Sequence, residues 1–165
     1  MANGDSYDGQ FVKNKAEGKG KYTYANGTIF EGDWVKGKRE GYGVETWSAN
    51  EKYEGNWFND RKQGFGKIFF NDGSYYKGTF DNNELHGTGI YYSAGSHTYQ
   101  GEWAHNLKDG KGVIHWTSGD TFEGSFSNDK RHGYGSMMLA DGSKSEGIWF
   151  CGKKDGRFIE SDVNG

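Results

Sequence analysis

One short pattern recurs every 23 residues along this chain and never drifts: an aromatic, any residue, a glycine, any residue, an aromatic. Its copies are Tyr7-Gly9-Phe11, Phe30-Gly32-Trp34, Tyr53-Gly55-Trp57, Tyr76-Gly78-Phe80, Tyr99-Gly101-Trp103, Phe122-Gly124-Phe126 and, without its first ring, Ser145-Gly147-Trp149. A fixed period of this length is the mark of a repeat architecture, in which each unit buries its apolar face only against its neighbours. That constraint turns the functional question from catalysis towards the presentation of a surface.

The second half of each unit is marked by another glycine, usually followed two residues later by a second. The pairs are Gly18/Gly20, Gly41/Gly43, Gly64/Gly66, Gly87/Gly89, Gly110/Gly112 and Gly133/Gly135, with Gly156 alone because Phe158 fills its partner's slot. Period-two alternation makes both halves strands. In Tyr53-Glu54-Gly55-Asn56-Trp57 the rings and the glycine share one face; in Gly64-Phe65-Gly66-Lys67-Ile68 the glycines and Ile68 do so. The polar stretch between them, Phe58–Gln63 in the third unit, suits a hairpin loop. The glycines let a ring on one strand lie flat over the missing side chain of its neighbour.

Composition agrees with a thin object. Rings make up 17% of the residues, there are 29 glycines and no proline, and the net charge is −3. Such a chain has too many aromatics and too little net charge for the disordered class, and few aliphatics for a thick layered core. The expected fold is all-β: an array of antiparallel hairpins, fourteen strands in one elongated, curled single-layer sheet, without helices of note. The units run at about 7–29, 30–52, 53–75, 76–98, 99–121, 122–144 and 145–158, with 159–165 as a cap or tail, and the whole 1–165 is read as a single array. In the fourth unit Ser93 replaces an expected ring; in the seventh Ser145 and Phe158 break the pattern.

The Tyr-x-Gly-x-Trp segment followed by Gly-x-Gly at this period resembles the MORN (membrane occupation and recognition nexus) repeat. Tyr53–Trp57 with Gly64-Phe65-Gly66, and Phe30–Trp34 with Gly41-Tyr42-Gly43, carry the likeness, which covers Tyr7 to Phe158. The resemblance implies a hairpin-built half-pipe and a scaffolding role in cytoskeletal, ciliary or membrane-associated assemblies.

No chemistry-bearing motif competes with that reading. Gly32–Lys38 and Gly147–Lys153 copy the start of a phosphate-binding loop, but Arg39 and Lys154 stand where a Ser or Thr belongs, and neither opens a helix. The five histidines lie in different units, and a lone cysteine, Cys151, offers no zinc-like spacing. We therefore expect no enzyme, cofactor or metal, and no nucleic-acid partner for a slightly acidic chain. With one cysteine, no charged-then-apolar leader at Met1–Gln10 and no long apolar run, the expected compartment is the cytoplasm.

Three surfaces carry functional content. Trp34, Trp57, Phe80 and Trp103, with Tyr53, Tyr76 and Tyr99, are expected to line a groove for an amphipathic helix or extended segment of a protein partner. The basic residues Lys36, Lys38, Arg39, Arg61, Lys62, Lys130 and Arg131, with Lys108 and Lys154 at equivalent places, are expected in hairpin loops along one edge. Such an edge suits acidic phospholipid or an acidic partner, the alternative being a peripheral membrane adaptor or an accessory module of a larger protein. On the opposite face Tyr42, Phe65 and Tyr134 are candidates for self-association into a homo-oligomer.

Overall fold

The computed structural model describes residues 4–163; Met1–Asn3 and the end of the expected tail, Asn164–Gly165, lie outside the described residues. Fourteen strands follow one another in chain order within one sheet, and no helix forms among the described residues. The all-β array of hairpins expected from the period is therefore present.

The chain divides into two compact units at Glu84/Leu85. The first contains β1 (Ser6–Val12), β2 (Lys15–Thr23), β3 (Ile29–Val35), β4 (Lys38–Thr46), β5 (Lys52–Phe58), β6 (Arg61–Phe69) and β7 (Tyr75–Asp81). The second contains β8 (Glu84–Ser93) from Leu85 onward, β9 (His97–Ala104), β10 (Leu107–Trp116), β11 (Thr121–Ser127), β12 (Lys130–Met138), β13 (Lys144–Phe150) and β14 (Lys153–Ser161). The seventh repeat, decayed in sequence, is a complete antiparallel hairpin, and β14 runs on through Ile159–Ser161, which the sequence assigns to the tail.

The hairpin loops are tighter than the sequence suggests. In the third repeat the turn is Asn59-Asp60 alone, and Arg61, Lys62 and Gln63 already belong to β6. Both turn residues have positive φ (51° and 68°), the arrangement whose twist matches that of the flanking strands. Asn and Asp enter that backbone region at less cost than other L residues, which accounts for Asn14, Asn106 and Asn128-Asp129 in equivalent turns, where Lys13 and His105 take the first position of theirs.

Just past the turns of the β1–β2, β3–β4, β5–β6, β9–β10, β11–β12 and β13–β14 hairpins the register slips. Gly55 stands opposite Gly66 and Trp57 opposite Lys62, so Asn56 faces three residues of β6. The bulge places Gly64 at φ 77°, so it is conformationally obligatory. Gly66 has a different reason: a Cβ there would lie 2.5–2.7 Å from the Tyr53 ring. The two glycines of each pair are thus not equivalent, and only the second serves the packing inferred from sequence.

The core is a ladder of rings. Tyr53 meets Trp57 of its own strand edge-to-face at 5.3 Å and Phe80 of the next repeat at 5.1 Å; in the second unit Tyr99 meets Trp103 at 5.2 Å and Phe126 at 5.1 Å. Edge-to-face contacts set the positive rim of one ring against the negative face of the next, each adding about 0.5–1.5 kcal/mol beyond burial. The polar ends are placed too: Tyr53 donates to the Asn56 carbonyl (2.9 Å) and Trp57 Nε1 to the Gly43 carbonyl (3.2 Å). Trp149 Nε1 is buried without a partner, and nothing in the structure explains it.

Candidate partner-binding face

The seven rings expected to line the groove fall on one face of the sheet in their respective units, but they are 0–6% exposed. Edge-to-face stacking and glycine packing close them into a core, so a partner laid on this face would meet the side chains around them. That corrects the picture of an open aromatic trough: a ring flat on a glycine has one face on backbone and its edges on its neighbours.

The basic edge divides in two. Lys36, Lys38, Arg61 and Lys130 are exposed at or beside the turns, where Lys38 bonds Asn59 and Arg61 bonds Asn82. Arg39, Lys62 and Arg131 are not loop residues; each is in a strand, directly across from a ring of its own hairpin, and therefore points onto the ring-bearing face. The Arg39 guanidinium lies 5.5 Å from the Phe30 centroid and 4.1 Å from that of Trp57 in the next hairpin. Arg131 repeats the arrangement, 5.4 Å from Phe122 and 4.0 Å from Trp149. Lys62, Lys108 and Lys154 occupy the same register position over Tyr53, Tyr99 and Phe158 at 5.3, 5.4 and 4.7 Å. A cation over a partly desolvated ring contributes about 1–2 kcal/mol.

How these cations are balanced differs from repeat to repeat. Glu45, 12% exposed at its side chain, accepts from Arg39 Nη1 at 2.6 Å and pairs with Lys62 Nζ at 3.7 Å. Glu160, at the corresponding position of the last repeat, pairs with Lys154 at 2.8 Å. At that position of the fifth and sixth repeats stand Ile114 and Met137, and neither Lys108 nor Arg131 has an ion pair among the described residues. Arg131 Nη2 donates to the Gly152 carbonyl instead (3.0 Å). Burial pushes the Lys62, Lys108 and Arg131 pKa values down; Glu45 opposes the shift at Lys62 and Asp129 opposes it at Lys108.

The Glu45 pairings were missed in sequence. The available signal was parity: Arg39, Lys62, Lys108, Arg131 and Lys154 recur in register and sit at even spacing from the face-lining glycines.

On the opposite face Tyr42, Phe65 and Tyr134 are 52–57% exposed. Around Tyr134 a shallow depression of about 670 Å³ is lined also by Lys111, Val113, Glu123 and Lys144. Among the described residues, no group of three or more His, Cys, Asp or Glu is placed to hold a metal, and no helix is long and apolar enough to cross a membrane.

A sheet built wholly of hairpins in chain order, with a ring and two unlike glycines at each of the first six repeats, defines a class of hairpin-repeat proteins. The chain belongs to the MORN repeat family, whose model matches residues 7–29, 30–51, 53–75, 76–98, 99–121 and 122–144. The seventh hairpin lies beyond those six matches. Among solved structures, the TCP domain of SAS-4 (dCPAP) from Drosophila melanogaster, in complex with a proline-rich motif of Ana2 (dSTIL), is similar at TM-score 0.59 and 16% identity. The alignment covers 98% of this chain and 85% of that one. At that identity the likeness is one of fold. No curated protein matches significantly.

Proposed function

We propose that this chain is a non-enzymatic scaffold that docks a segment of a protein partner on the ring-bearing face of its sheet. The observation that carries the reading is that the ring-bearing face, with half-buried Ile68 and Tyr91 and with cations set over its buried rings, has no second layer packed over it among the described residues. A neighbour of similar fold, the SAS-4 domain, is found with a proline-rich motif, which supports an extended segment as the occupant. Attachment to a cytoskeletal or ciliary assembly in the cytoplasm belongs to the same reading and rests on the family.

The test is selection of a random peptide display pool on the folded protein, followed by rebinding to Ile68→Asp and Tyr91→Asp variants. These half-buried residues lie on the ring-bearing face without belonging to the fully buried core. Enriched peptides that lose binding to the variants support the proposal; no enrichment, or equal binding to all three proteins, overturns it. Self-association through Tyr42, Phe65 and Tyr134 is tested alongside by light scattering: a monomeric mass at high concentration removes it.

A further inference from the structure

We propose that Lys108 and Arg131 form a seat for the carboxylate side chains of an acidic protein segment, an inference that rests on the scaffold reading above. Both cations lie over rings on the ring-bearing face of the second unit, in adjacent hairpins. Hairpins follow one another two strands apart, so the two residues stand roughly 10 Å from each other along the sheet.

The first unit shows what such a pair accepts. There the same register positions hold Arg39 and Lys62, and one carboxylate, Glu45, reaches both from within the chain, at 2.6 and 3.7 Å, while Asp60 also accepts from Arg39 Nε at 3.4 Å. The last repeat satisfies its own cation with Glu160. The fifth and sixth repeats retain the cations and replace the carboxylate by Ile114 and Met137. A half-buried cation has lost much of its hydration, and pairing with an anion recovers part of that loss. The neighbouring apolar side chains add contact for the stem of the incoming residue.

A carboxylate fits better than a lipid head group. The internal occupant is a glutamate, and the pair is set among rings on the face of the sheet, whereas Lys36, Lys38, Arg61 and Lys130 are exposed at or beside the turns. One acidic peptide would engage Lys108 and Arg131 together, with salt-dependent affinity because the attraction is between charges.

The experiment measures binding of a fluorescent polyglutamate peptide to the full chain by anisotropy, at low and high salt. The decisive variant is Met137→Glu, which rebuilds beside Arg131 the arrangement that Glu45 makes with Arg39. Ser125→Glu is the control: it adds the same charge on the opposite face, across from Lys111. We expect salt-sensitive binding by the wild type, a loss of tenfold or more in Met137→Glu and in Lys108→Met/Arg131→Met, and little change in Ser125→Glu. Conversely, Glu45→Ile should open a second site and raise the stoichiometry.

Equal weakening by Met137→Glu and Ser125→Glu would overturn the proposal. So would absence of polyglutamate binding by a protein that still holds display-selected peptides, an outcome that leaves the scaffold reading standing. Binding to phosphoinositide vesicles but not to polyglutamate would replace the carboxylate segment by lipid and equally overturn it.

Discussion

Phe158 stands opposite Gly147 in the last hairpin, and its ring covers that glycine as Tyr53 covers Gly66. A Cβ on Gly147 would come within 2.9 Å of the Phe158 ring, and Trp149 meets that ring edge-to-face at 5.6 Å and 89°. The ring missing at Ser145 has been supplied from the partner strand, so two apparent defects of the seventh repeat form one exchange.

The exchange predicts coupling. Ser145→Tyr alone places a second ring where Phe158 already lies and should destabilise by about 1–3 kcal/mol. Phe158→Gly alone should cost about 2–3 kcal/mol through the lost ring. The double variant recreates the arrangement of the other repeats and should recover more than 1 kcal/mol relative to the sum. Urea denaturation of the four proteins measures the cycle, and additivity would show that the residues act separately.

Two glycines with left-handed or crowded surroundings should respond differently to a methyl group. Gly27 has φ 89° and open space around its absent Cβ, so Gly27→Ala should cost about 1 kcal/mol, the strain of the backbone alone. At Gly66 the added carbon meets the Tyr53 ring, so Gly66→Ala should cost about 3 kcal/mol. The difference between their denaturation midpoints tests the ring-on-glycine packing.

The turn residues also clasp the preceding repeat. Asn106 donates its backbone N–H to the Leu85 carbonyl (3.1 Å) and accepts the Leu85 N–H at Oδ1 (2.8 Å). Asn106→Gly keeps the backbone conformation and loses the side-chain acceptor, a cost of about 1 kcal/mol. Asn106→Ala loses the acceptor and strains the turn as well, adding roughly another 1 kcal/mol. Hydrogen exchange at the Leu85 amide should accelerate in both.

Stability should fall in alkali through the buried phenols. Burial holds the Tyr76 hydroxyl well above its ordinary value of 10, at about 12, with the Thr79 carbonyl as its hydrogen-bond acceptor. Tyr53 and Tyr99 are raised further by the same cause. Because the folded pKa exceeds the unfolded one, the folded state retains protons that the unfolded state loses, and stability declines as pH rises from 10 through 12. In Tyr76→Phe that decline should be shallower, as read by denaturation at a series of pH values.

Neutralising Lys36, Lys38, Arg61 and Lys130 together should leave peptide docking on the ring-bearing face unchanged, since these side chains lie at the turns. Flotation with acidic phospholipid vesicles checks the membrane alternative directly: we expect no salt-sensitive binding by the wild type. Capture that disappears in the neutralised variant would restore the edge as a functional surface.

The strands, their order and the ring ladder were legible because alternation and the 23-residue period are written in residue types. The destination of Arg39, Lys62 and Arg131 was not, because it depends on where a turn ends. A six-residue loop at Phe58–Gln63 would leave Lys62 in solvent; the two-residue turn at Asn59-Asp60 puts it on β6, over Tyr53. Likewise Gly64 and Gly66 look alike in sequence, and only the bulge separates a glycine needed for its backbone from one needed for its absent side chain. Packing of rings on glycines was legible in the sequence, but the closing of the trough was not, since composition does not show that neighbouring rings cover one another's edges.

The clasp at the turns has a mechanical consequence. Asp60, Asn106 and Asp129 each tie their hairpin to the one before it across only 21 residues of chain. Within each unit, a load applied along the chain would therefore peel repeats from an end, one after another, instead of rupturing the whole at once. Each released repeat would lengthen the tether by roughly 80 Å of extended backbone. The array would then yield in steps under tension and rezip from whatever part remained folded.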